Sequence, residues 1–152
     1  MMKKYFVALI GESNVGKTKT LDKIIDTSGI RFSKNAIRGI CRFTCFKEKM
    51  LVFVLTSSPQ ERQADLNEEI KHFENAAKRM GLDSFCILMA FTNRPRKKNE
   101  IKNACNTVKN EGYTLKKIYL KKELDQNSKE IEIKSTKDDE KRQAKELLKK
   151  IT

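Results

Sequence analysis

Short apolar segments recur along the chain and predict the strands of a sheet. Three of them are apolar on both faces, which is typical of strands in the interior of a parallel sheet: 5–10, 51–55 and 85–91. Segment 113–120 predicts a last core strand. Between 37 and 45, apolar residues alternate with basic and polar ones, which predicts a strand with one buried face. The short polar turn before 51–55 then implies an antiparallel hairpin.

Helical spacing appears between these segments. One apolar stripe ends before Gly81 and predicts a long helix from its members Leu66, Ile70, Phe73, Ala77 and Met80. A second predicts a helix that ends near Gly112, from Ile101, Ala104, Cys105 and Val108. A first helix is expected over 16–27, closed by Gly29 and followed by a loop at 30–35. His72 lies beside the first stripe and is expected at the surface.

The order of these elements predicts the fold class. Strands that alternate with helices imply a mainly parallel sheet, with one antiparallel hairpin and helices on both faces. We therefore expect a three-layer α/β fold and a single domain over 1–152. Within it, 121–142 is rich in charge and predicts a solvated, flexible loop with a short strand near 131–133. Segment 143–152 predicts a closing helix.

A glycine-rich motif directly follows the first strand. It reads Gly11, Glu12, Ser13, Asn14, Val15, Gly16, Lys17, Thr18 and matches the phosphate-loop pattern G-x-x-x-x-G-K-[ST]. The glycines allow backbone N–H groups to approach an anion, and the next helix directs its positive end there. Lys17 is expected on the β and γ phosphates and the Thr18 hydroxyl on Mg²⁺. Lys19 is a further candidate nucleotide contact. Glu12 is expected either to face solvent or to bind magnesium through water.

Charge and cysteine content narrow the possible partners. The net charge of +13 allows attraction to nucleic acid, an anionic membrane or an acidic protein, although the lysines are scattered. No apolar run approaches a membrane span, and the first residues lack a cleavable signal pattern, so we expect a cytoplasmic protein. The four cysteines form no metal-ligand pattern, which favours buried free thiols over a zinc site.

Together the loop, the hairpin and the length make residues 4–120 resemble the P-loop NTPases, and most of all the small Ras-like GTPases. In that family the third strand ends in the motif D-T-x-G-Q-E, whose aspartate holds magnesium through water. Here Thr56 stands in the place of that aspartate and Pro59 in the place of the glycine. The resemblance implies that Gln60 orients the attacking water. Glu61 is a candidate substitute for the missing acid. Both also fit the first turn of a helix.

The guanine-reading motif of that family, N-K-x-D, is partly present. Asn93 fits, Arg94 can stack on a base, and Arg96 stands where the family has the aspartate that pairs with guanine. The base, ATP or GTP, therefore stays open. The basic residues from Arg94 to Lys98 also fit a cationic lid over phosphates, as in small P-loop kinases.

Three functions follow from these residues. The first is a magnesium-dependent nucleoside-triphosphate-binding protein, a slow NTPase or GTPase-like switch, whose catalytic candidates are Lys17, Gln60 and Glu61. The second is a small P-loop kinase, although no acceptor-activating aspartate is evident. The third is a nucleic-acid-binding module with a vestigial nucleotide site. The first is favoured.

Overall fold

A computed structural model of the chain describes the residues that build the sheet and two of its helices. The described residues are 2–12, 21, 30–31, 41–42, 44–45, 50–55, 58–59, 65–94, 98–121 and 131–134. The predicted helix over 16–27 lies outside them except for Leu21, which is helical and fully buried. The predicted closing helix over 143–152 also lies outside them.

The described residues form eight strands. In chain order they are β1 (Lys3–Gly11), β2 (Ile30–Arg31), β3 (Cys41–Arg42), β4 (Thr44–Cys45), β5 (Met50–Leu55), β6 (Ser84–Thr92), β7 (Thr114–Lys121) and β8 (Ile131–Lys134). The three segments predicted as interior strands became β1, β5 and β6, and 113–120 became β7. The short strand expected near 131–133 is confirmed as β8. Ile30–Arg31, expected in a loop, instead pairs with β3, which shows that two residues suffice for a local ladder that no pattern indicates.

Six of these strands form one sheet in the order β4-β5-β6-β1-β7-β8. All neighbours from β5 to β8 pair in parallel, so the mainly parallel sheet is confirmed. At the β4 edge, Thr44 pairs with Leu51 and Cys45 with Met50 in antiparallel fashion. The turn over 46–49 lies outside the described residues, so the hairpin as a whole stays a prediction.

In the described part of the chain, two helices connect parallel strands. Helix α1 (Leu66–Arg79) joins β5 to β6, and helix α2 (Lys98–Asn110) joins β6 to β7. Asp65 begins α1, because its side-chain carboxylate accepts a hydrogen bond from the backbone N–H of Asn67 at 2.8 Å. Both helices end at a glycine with positive φ, Gly81 and Gly112, as the sequence predicts.

Both helices pack on the same face of the sheet. Both crossovers proceed in the same direction across the sheet, and right-handed connections then put the helices on one side. The core between them and the sheet takes Phe6, Ala8 and Ile10 from β1 and Ile70, Phe73 and Ala77 from α1. Val7 and Leu9 point to the other face and are also buried. A helical layer on that second face stays a prediction.

Candidate functional site

Gly11 stands at the carboxyl end of β1, which is an interior strand of the sheet. It is paired with Thr92 of β6 on one side and with Leu120 of β7 on the other. The strands that follow β1 in the sheet, β4 and β5, lie on one side of it. The strand that follows β7, which is β8, lies on the other side, so the direction of the connections reverses between β1 and β7. Ligands of open α/β sheets bind where the strand order reverses in this way, at the carboxyl ends of the strands. The predicted phosphate loop therefore begins at the edge where a ligand is expected.

Among the described site residues, Asn93 lies next to Gly11, the first residue of the predicted phosphate loop. Its backbone N–H donates to the carbonyl oxygen of Gly11 at 2.7 Å, which extends the β1–β6 ladder by one bond. The Asn93 side chain is half-buried, and the following Arg94 is exposed. Two segments that are about eighty residues apart in sequence thus meet at the start of the predicted phosphate loop.

The end of β5 lies further from β1, because β6 intervenes. Two strand spacings amount to about 10 Å. After β5, Ser58 and Pro59 are buried, and Pro59 lines a cavity of about 560 Å³ that lies between α1 and α2. The same cavity is lined by Phe91 and by Asp65, whose carboxylate caps α1. The chain after β5 therefore starts beside the helices and not beside Gly11.

Most of the other predicted site residues lie outside the described part of the chain. They are Ser13, Asn14, Val15, Gly16, Lys17, Thr18, Lys19, Gln60 and Glu61, and Thr56 joins them. Glu12 is described and is exposed. Among the described residues, no three His, Cys, Asp or Glu side chains are grouped so that they could hold a metal ion. The magnesium assignment of Thr18 stays a prediction.

A lysine-lined groove lies between α2 and β7, and sequence reasoning missed it. Its volume is about 430 Å³, and we call it the basic groove. Lys98, Lys102 and Lys109 line it from α2, and Lys117 lines it from β7. All four lysines are exposed. Part of this groove was predictable from the sequence, because spacings of four and seven put the three lysines of α2 on one face of the helix. The position of Lys117 beside them depends on the tertiary fold.

Cys105 lies among these lysines and is 7% exposed. Burial raises the pKa of its thiol above the usual value, and the charges of Lys117 and Lys109 oppose that rise. The thiol is therefore the neutral form at physiological pH. Cys86 is also buried, and both cysteines are free, as the sequence predicts for them. His72 is exposed, which confirms that expectation too.

The described fold defines an α/β protein with a mainly parallel sheet, in which Gly11 ends an interior strand. No protein-family model matches the chain, and no curated protein is significantly similar to it in sequence. In the solved structures, the chain is similar to the crystal structure of APE1195, with a TM-score of 0.51 and 16% identity. The match covers 99% of this chain and 96% of that one, and it supports the fold alone. Across the described residues, no helix has the length and apolar character needed to cross a membrane.

Proposed function

We propose that this chain is a P-loop protein that binds a nucleoside triphosphate with Mg²⁺ and hydrolyses it slowly, as a switch. The observation that carries the proposal is the position of Gly11, at the carboxyl end of an interior parallel strand and at the reversal of strand order. A phosphate loop requires a strand before it and a helix after it. β1 supplies the strand, and the helical Leu21 is consistent with the helix.

In this proposal the loop residues share the work on the phosphates. Backbone N–H groups of Ser13 to Gly16 surround the β-phosphate, and Lys17 neutralises the β and γ phosphates. The hydroxyl of Thr18 binds Mg²⁺, while phosphate oxygens and water complete the ion's coordination. Such a site needs no cluster of carboxylates, because the substrate itself supplies anionic ligands.

Asn93 fits the phosphate end of the nucleotide better than the base. In a nucleoside triphosphate the ribose and α-phosphate separate the base from the β-phosphate. The hydrogen bond from Asn93 to Gly11 holds Asn93 at the start of the loop that grips the phosphates. We therefore propose a role for Asn93 other than the base reading that the resemblance implied: its side-chain amide contacts the γ-phosphate or the attacking water.

The geometry after β5 supports weak hydrolysis. Thr56 stands where the Ras-like GTPases have the aspartate that holds magnesium. A hydroxyl binds that ion more weakly than a carboxylate does. The end of β5 is also about 10 Å from the end of β1, since β6 separates them. Gln60 and Glu61 must then span that gap to reach the γ-phosphate. Binding of the triphosphate would draw this segment inward, which is how a nucleotide orders a switch.

Isothermal titration calorimetry with ATP, GTP and their diphosphates, each with and without Mg²⁺, tests the proposal. We expect magnesium-dependent binding of at least one triphosphate. Lys17→Ala should remove it, because the lysine charge is the main side-chain contact of the γ-phosphate. Lys78→Ala is the matched control. Lys78 is an exposed lysine near the carboxyl end of α1, at the opposite edge of the sheet from Gly11.

Two results would contradict the proposal. One is that the unmodified protein binds none of the nucleotides. The other is that Lys17→Ala and Lys78→Ala bind a triphosphate equally well while both keep the circular dichroism of the unmodified protein. In either case the glycine-rich loop would be a turn without a ligand. If binding is found, release of inorganic phosphate then measures whether hydrolysis occurs.

A further inference from the structure

The basic groove has the charge of a binding site for an anion. Its four lysines, Lys98, Lys102, Lys109 and Lys117, are exposed, and none of them forms an ion pair with another described residue. Among the described residues, no carboxylate lines the groove. Four like charges around one concave surface repel each other, and a polyanion would remove that repulsion. The charge is local, in contrast to the scattered lysines of the whole sequence.

The length of the lysine row favours a chain of phosphates over a single one. Lys98 and Lys109 are eleven residues apart on α2, which corresponds to about 16 Å along the helix axis. Phosphates of a stacked nucleic-acid strand repeat at about 3.4 Å, so the row spans several of them. One mononucleotide cannot contact both ends of the row and also occupy the predicted phosphate loop through its own phosphates.

The other groove residues favour nucleic acid over an acidic protein. Tyr119 is half-buried in the groove, and Asn93 and Asn106 also line it. An aromatic ring beside lysines is the combination that binds single strands, because bases stack on the ring while the backbone follows the charges. The side-chain amide of Asn106 adds hydrogen bonds to base edges. An acidic peptide would use the lysines but would gain little from the ring.

We propose that the basic groove binds single-stranded nucleic acid, with the backbone along the lysines of α2 and a base against Tyr119. The groove begins beside Asn93, so it opens at the same edge as the predicted phosphate loop. This proposal does not depend on nucleotide binding at the loop. In this proposal the affinity comes from the release of counterions from the nucleic acid, and the salt dependence of the association constant measures that contribution.

Fluorescence anisotropy with labelled oligo(dT) and oligo(U) of about 12 nucleotides tests the proposal over a range of salt concentrations. We expect the logarithm of the association constant to fall linearly with the logarithm of the salt concentration. The double variant Lys102→Ala/Lys109→Ala should reduce that slope by about 1.4, because each contact to a single strand contributes about 0.7. The control is Lys71→Ala/Lys78→Ala, which removes the same charge from exposed positions of α1 and should leave the slope nearer to that of the unmodified protein.

Tyr119→Leu separates stacking from charge. It should weaken binding by about 5- to 150-fold at an unchanged salt slope, since base stacking contributes about 1–3 kcal/mol. Equal slopes for the groove and control double variants would overturn the proposal, as would polyglutamate that competes as well as unlabelled oligonucleotide. Loss of triphosphate binding instead of oligonucleotide binding in the groove variant would overturn it too, since the groove would then serve the nucleotide. Lys17→Ala should leave oligonucleotide binding intact, whether or not the loop binds a nucleotide.

Discussion

Tyr113 donates a hydrogen bond from its hydroxyl to Glu74 Oε1 at 2.8 Å. The same oxygen accepts from Lys4 Nζ at 3.2 Å, and Lys4 Nζ lies 4.8 Å from the centre of the Tyr113 ring. These contacts join β1, α1 and the connection between α2 and β7. This cluster is at the amino ends of the strands, opposite the candidate site. It anchors the end of the sheet where no ligand is expected, and it allows the fold to be tested apart from function.

We predict that Tyr113→Phe lowers the free energy of unfolding by about 1–2 kcal/mol at neutral pH. The variant keeps the ring, which contacts Phe6 and Phe85, and removes only a hydrogen bond to a carboxylate. Urea unfolding followed by circular dichroism measures the change. Tyr5→Phe is the control, since Tyr5 is a half-buried tyrosine of β1 for which a near-zero change is expected. Equal effects of the two substitutions would refute the role of the bond.

The same tyrosine predicts how stability depends on alkaline pH. Burial, followed by the hydrogen bond to Glu74, raises the pKa of Tyr113 well above its usual 10.0. The folded protein therefore keeps the phenol proton at a pH where the unfolded chain has lost it. This contribution to stability is complete below pH about 10 and declines above it.

The stability difference between the unmodified protein and Tyr113→Phe should therefore shrink as pH rises above about 10. Urea unfolding of both proteins at several alkaline pH values measures it. Lysines also titrate in this range, but they are common to both proteins and cancel in the comparison. A difference that stays constant with pH would show that the Tyr113 pKa is close to its value in the unfolded chain.

Asn93 offers a test of which part of the nucleotide lies beside β6. If it contacts the phosphate end, Asn93→Ala should weaken triphosphate binding or slow turnover and leave the ratio of ATP to GTP affinity unchanged. Loss of one hydrogen bond to a charged group corresponds to about 10-fold. Titration calorimetry with both nucleotides gives the ratio. A selective loss of one base would instead support the base-reading role that the resemblance implied.

Gly81 predicts a backbone effect without any change in contacts. Its φ is +68°, and a Cβ built there would meet nothing within 4 Å. Its N–H donates to the carbonyl of Lys78, and that of Leu82 donates to Ala77, which closes α1. Gly81→Ala should cost about 1 kcal/mol in thermal or urea unfolding, and Gly81→Asn should cost less, because asparagine tolerates this conformation. The reverse ranking would show that the side chain, and not the backbone, decides the effect.

The sequence by itself determined the helices and strands, because apolar spacing and helix-ending glycines are local patterns. The apolar stripe from Leu66 and the glycine at 81 define α1 within its own fifteen or so residues, and the helix was predicted almost to its boundaries. The run 85–91 forms β6 with one residue added at each end. A phosphate-loop motif after the first strand was evident for the same reason, since its parts are contiguous.

Only the tertiary structure decided which strands are neighbours. A segment that is apolar on both faces fits any interior position of a sheet, so nothing local showed that β6 lies between β5 and β1. That order puts Asn93 against Gly11 and moves the end of β5 away. It also brings Lys117 of β7 to the lysines of α2. Strand pairing and crossovers join residues that are distant in sequence, and their combination fixes the candidate site and the basic groove.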